Sequence, residues 1–88
     1  GADMESPSLD LTTFILSVSA GAYMGLGIAP SNENEEPKVN LDLARHNIDL
    51  LELLWEKTQN NRTADEDRLL SQLLLETRMR YLEIKNRV

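Results

Sequence analysis

The sequence predicts an all-α fold of three helices, a buried apolar N-terminal helix followed by an antiparallel helical hairpin, completed by oligomerisation. Three observations predict it. Leucine-rich stripes recur at helical spacing between Asn40 and Val88. Only Gln59 to Arg62 separates two such runs, which is too short for anything but a turn that reverses the chain. The segment Leu11 to Ala29 carries no charge, as expected of a helix enclosed by protein. Residues 1–8 are polar and are expected to form a disordered tail. Residues 9–88 are expected to be a single helical domain, with an acidic, proline-flanked linker at about 30–38.

Asp10 or Ser8 is placed to cap the first helix, which runs from Leu11 to about Leu26. Leu11, Phe14, Ile15, Val18, Ala22 and Leu26 share one face. Leu16 and Tyr23 lie on the other side, so burial on several sides is expected. Ser17, Gly21 and Gly25 recur every four residues. Glycine inside a helix costs roughly 0.5–1 kcal/mol relative to alanine. A stripe of small residues offsets that cost by letting another helix approach closely.

Asn40 is the expected cap of the second helix, which ends near Thr58. Leu41, Ala44, Ile48, Leu51 and Trp55 form one stripe, and Leu43, Leu50 and Leu54 form a second beside it. Asp42, Arg45, Asp49, Glu52 and Glu56 lie opposite and should face water. Asn47 falls inside the apolar arc, where a single amide either fixes the register of an interface or sits wetted at its rim. The third helix opens on Thr63-Ala64-Asp65-Glu66, a capping box, and runs to about Asn86. Its main face is Leu69, Leu70, Leu73, Leu74, Thr77, Tyr81, Ile84 and Val88. Leu75, Met79 and Leu82 make a separate stripe at i, i+4, i+7, so this helix needs partners on both sides.

A chain of 88 residues supports one small domain. It has no cysteine, so neither disulfides nor thiolate-bound metal can reinforce it. Such cores often supply only ~3–5 kcal/mol, and oligomerisation is the remedy left open. The net charge of −6 repels phosphate backbones and argues against nucleic-acid binding. No basic residue precedes Leu11, which argues against a secretory signal, and a cytoplasmic location is expected.

Candidate chemistry is sparse. His46, with Asp42 and Asp49 near it in sequence, is expected to be an exposed helix histidine rather than a metal ligand. Asp49, Glu52 and Glu56 share a face with Arg45 and have no apolar pocket to shift them into acid–base work. Gly25-Leu26-Gly27 lacks the third glycine and the preceding strand of a phosphate loop. Arg78, Arg80, Lys85 and Arg87 suit the C-terminal end of a helix dipole. Asn61-Arg62-Thr63 matches a glycosylation sequon but is expected to supply a turn and a cap. No catalytic, cofactor or metal residue is assigned.

The blocks Leu11-Thr12-Thr13-Phe14-Ile15-Leu16-Ser17, Val39-Asn40-Leu41-Asp42-Leu43-Ala44-Arg45 and Ile48-Asp49-Leu50-Leu51 carry a resemblance. So do Glu56-Lys57-Thr58, Arg68-Leu69-Leu70 and Arg78-Met79-Arg80-Tyr81. Taken in order, they resemble a small bacterial family known as domain of unknown function 1844. The run Gly21 to Gly27 departs from that pattern. The resemblance implies a small bacterial, cytoplasmic protein and brings no activity with it. The expectation is therefore a non-enzymatic helical module for self-assembly or for docking a protein partner, with a homodimer favoured. Its candidate interface is Ser17, Gly21, Gly25, Asn47, Leu75, Met79 and Leu82. The alternative is a membrane-associated protein anchored through Leu11–Ala29. Its serines and glycines and the lack of basic flanks weigh against that.

Overall fold

A computed structural model describes residues 10–29 and 36–87. The expected tail, Ser8, residues 30–35 of the acidic linker and Val88 lie outside those residues. Three helices form in the order α1 (Leu11–Gly25), α2 (Leu41–Lys57) and α3 (Ala64–Arg87). No strand occurs among the described residues, so the fold is all-α.

Each helix starts where a side chain satisfies its free amides. The Asp10 carboxylate accepts from the Thr13 amide at 2.8 Å. That bond holds the Asp10 carboxyl below its ordinary range. Asn40 Oδ1 accepts from the Leu43 amide at 3.1 Å. At α3 the capping box closes reciprocally. The Glu66 amide donates to Thr63 Oγ1 at 3.1 Å, and the Thr63 amide donates to Glu66 Oε1 at 2.7 Å.

The helix ends are as local as the starts. α1 stops at Gly25, one residue short of the expected end, because Gly27 turns the backbone left-handed at φ 77°. The Ile28 amide then donates to the Tyr23 carbonyl at 3.0 Å, and the Gly27 amide to the Met24 carbonyl at 3.1 Å. This pair of bonds is a Schellman cap. It accounts for Gly25-Leu26-Gly27 as a helix terminator, with the Gly27 amide already engaged. After α2, Asn60 is left-handed at φ 67°, inside a turn that the Asn61 amide closes on the Thr58 carbonyl at 2.9 Å.

α1 and α2 pack antiparallel. Gly25 of α1 lies against Ala44 and Asn40, and one helical turn earlier Gly21 lies against Asn47. α3 reverses again, and Arg78 reaches back to Glu52. The core between the three helices is Ile15, Val18, Leu51, Leu70 and Leu74, with Leu11, Leu50, Leu54, Trp55, Leu69 and Leu73 packed around it. Full burial of one such side chain contributes about 1.5–3 kcal/mol. Ser19 and Thr77 are buried as well, and each hydroxyl donates to a carbonyl of its own helix, Leu16 at 2.9 Å and Leu73 at 2.7 Å. Neither is therefore an orphaned polar group.

One expectation needs correcting. α1 is buried against both α2 and α3, but Phe14, expected on its buried face, is 47 % exposed, and Leu16 on the other side is 49 % exposed. Two neighbouring helices cover about half of a helix's circumference, and these residues fall outside that arc. Among the described residues, no helix is long and apolar enough to cross a membrane. α1 has 15 residues, whereas a crossing helix needs about 20.

Candidate self-association surface

The seven candidate interface residues divide into two groups in the structure. Gly21 and Gly25 are buried within the chain, in the α1–α2 seam. A Cβ on Gly25 would overlap the Ala44 amide and lie 2.7 Å from Ala44 Cα and 2.8 Å from the Asn40 carbonyl oxygen. The obstruction is backbone, so it cannot swing aside. A Cβ on Gly21 would lie 2.5 Å from Asn47 Oδ1, the end of a side chain. Asn47 itself is half-buried, and its Nδ2 donates to the Leu43 carbonyl at 3.0 Å. It thus stands at the rim of the seam and caps the space that Gly21 leaves. Ser17 is exposed and outside the close approach. The glycine stripe does bring helices together, and the helix it admits is α2 of the same chain.

The second group is open. Leu75, Met79 and Leu82 are 62 %, 52 % and 56 % exposed on the outer side of α3. The core side of the same helix carries Leu70, Leu74 and Thr77, all buried. Beside the stripe runs a cleft of about 330 Å³ between α2 and α3, walled by Arg45, Asp49, Glu52, Arg78 and Leu82. Its charges are internally matched. Arg78 gives Nε and Nη2 to the same Glu52 oxygen at 2.9 and 2.7 Å, and Arg45 lies 3.9 Å from Asp49. Arg78 therefore ties α3 to α2, beyond the helix-dipole role its position suggests. Arg80 lies 3.8 Å from Glu76 within α3.

Two polar links that sequence reading misses hold the frame of this surface. Arg62 is the first. Its side chain is only 9 % exposed. It donates to the Trp55 carbonyl at 2.7 Å, to Thr58 Oγ1 at 3.0 Å and to Asp67 at 2.9 Å. Its guanidinium also sits 3.9 Å from the centre of the Trp55 ring. One cation thus closes the end of α2 and the start of α3. The available signal was an arginine just past a helix end, beside a tryptophan two turns back. Tyr23 is the second. Its hydroxyl donates to Glu76 Oε1 at 2.6 Å and links α1 to α3. Burial, reinforced by the Glu76 carboxylate, pushes the Tyr23 hydroxyl up from 10.0 to about 12.

His46, Asp42 and Asp49 are all exposed on α2. No group of three or more histidine or carboxylate side chains among the described residues is placed to hold a metal ion.

A family model matches residues 8–83, from just before α1 to within about one turn of the end of α3, and its description is Domain of unknown function (DUF1844). The chain belongs to this family. The match takes in all three helix starts, the glycine seam and the outer α3 stripe, so these features lie within the family's own domain. No curated protein and no solved structure matches the chain.

Proposed function

We propose that the protein is a non-enzymatic helical module that self-associates, as a two-fold dimer, through the outer stripe of α3. The observation that carries this reading is the exposure of Leu75, Met79 and Leu82 together on one stripe. Apolar side chains lined up on a surface mark an interface, because water makes their exposure costly. A self-complementary surface closes most simply about a two-fold axis. Three apolar side chains per chain must offset the rotational and translational cost of association, so the affinity expected is micromolar.

The non-enzymatic part of the proposal rests on how the polar groups are occupied. Among the described residues, the two groups whose ionisation departs clearly from normal are Asp10, a helix cap, and Tyr23, a helix–helix link. Both are accounted for by folding. A bacterial cytoplasmic setting belongs to the same proposal, on the family resemblance and the absence of cysteine. A membrane role for Leu11–Ala29 is the weaker reading, because Ile15, Val18 and Ala22 already face protein. A different protein docking on the α3 stripe is the remaining competitor.

Sedimentation equilibrium at micromolar concentration tests the proposal. Wild type should behave as a dimer, and Met79→Glu as a folded monomer with unchanged helical circular dichroism. A monomeric wild type would end the self-association reading.

A further inference from the structure

We infer that the second copy docks with its α3 parallel to the first, so that Arg78 of each chain meets Glu83 of the other. This inference rests on the self-association proposed above and adds its orientation.

The argument starts from the flanks of the stripe. Taken as a seven-residue repeat, Leu75 and Leu82 occupy one seam position and Met79 the other. Arg78 and Lys85 then line one edge of the seam, and Glu76 and Glu83 line the other. All four are exposed. The structure fixes which edge is which. Arg78 is bonded to Glu52, so the basic edge faces α2. Glu76 is bonded to Tyr23, so the acidic edge faces α1.

A parallel two-fold pair sets the basic edge of each helix against the acidic edge of the other. Residues five apart meet across such a seam, and Arg78 and Glu83 are five apart. An antiparallel pair sets basic against basic and acidic against acidic. Glu52 holds Arg78 through Nε and Nη2, which leaves Nη1 for a second carboxylate.

The ends of the seam point the same way. Gln72 and Asn86 continue the Met79 position in either direction and are exposed. In a parallel pair each amide meets its own copy and satisfies it. Reversing one helix sets an amide against a leucine, leaving it unpaired.

The absence of cysteine makes the test direct. Leu75→Cys and Leu82→Cys are made separately, checked for unchanged helicity, and oxidised. Both should cross-link to themselves, because two positions seven residues apart can each face their own copy only in a parallel pair. Failure of both to self-cross-link, with a mixture of Met79→Cys and Leu82→Cys cross-linking, would mean an antiparallel seam and overturn the inference alone. A wild type that is monomeric in light scattering would overturn the proposed function with it. A wild-type dimer in which none of these variants cross-links would place the contact on another face and overturn both the seam and its orientation. Glu83→Arg gives an independent reading. It should weaken the dimer about five-fold at low salt, from two lost ion pairs of modest strength. An unchanged or tighter dimer would count against the parallel arrangement.

Discussion

Gly21 and Gly25 on α1, and Leu75, Met79 and Leu82 on α3, are both stripes at helical spacing, yet they end in opposite conditions. The glycines are closed over by α2 at backbone distance. The leucines and the methionine stay in water. The difference follows from what each stripe offers. A glycine pair presents no side chain, so the only gain comes from close approach, and a tethered neighbour reaches it at little entropic cost. A Leu-Met-Leu stripe needs a third neighbour, and a three-helix chain has already spent α1 and α2 on the inner face of α3. A periodic stripe therefore says that a partner is needed, and only the count of neighbours says whether it comes from inside the chain.

The sharpest way to break this contrast is Gly25→Ala. The added methyl meets the Ala44 and Asn40 backbone. It should destabilise the monomer by about 2–3 kcal/mol despite better helix propensity. Urea denaturation would check it, and a loss under 1 kcal/mol would show that the seam yields. Next is Arg62→Ala, which leaves the Trp55 carbonyl without its donor, returns the half-exposed Asp67 to water and strips the Trp55 ring of its cover, and should cost about 2 kcal/mol by the same measurement. Arg62→Lys should recover little of that, because an ammonium reproduces neither the fork nor the ring stacking.

Gly21→Ala should cost about 1 kcal/mol or less, because Asn47 is a side-chain end that can move. Asn47→Ala in the same chain should remove the penalty, and persistence of the full cost in the double variant would locate the strain elsewhere. Met79→Ser, on the open stripe, should leave monomer stability within about 0.5 kcal/mol while weakening self-association. The smallest effect at neutral pH belongs to Tyr23. Its ionisation is pushed up to about 12 in the fold, so its contribution is complete below pH 10 and fades as pH rises through 12. In a Tyr81→Phe background, tyrosinate absorbance should report that late titration. A midpoint at the ordinary value of 10.0 would refute the Glu76 link.

The helix starts were legible because each is a local contest among four consecutive residues. Asp10, Asn40 and the Thr63–Glu66 box cap their helices as their side chains dictate. The short turn before Arg62 was legible for the same reason. The partner of the glycine stripe was not, because periodicity marks a face without naming what lies against it. Arg62 stayed hidden because its best acceptor is the carbonyl of Trp55, and every residue type carries a carbonyl. Phe14 and Leu16 were read as enclosed because hydrophobicity shows preference for burial, whereas exposure is decided by how many helices there are to cover them.

The Asn40 amide donates to the Gly25 carbonyl at 2.7 Å. This single bond pins the exit of α1 to the entrance of α2, so the geometry of the pair is set at the two mouths of the connecting segment. The length of chain between Gly27 and Val39 then becomes a free variable. Lengthening a closed loop costs only about 0.6 kcal/mol per doubling. Foreign sequence spliced between Glu36 and Pro37, both exposed, such as an epitope or a tethered binding peptide, should leave the helices unchanged.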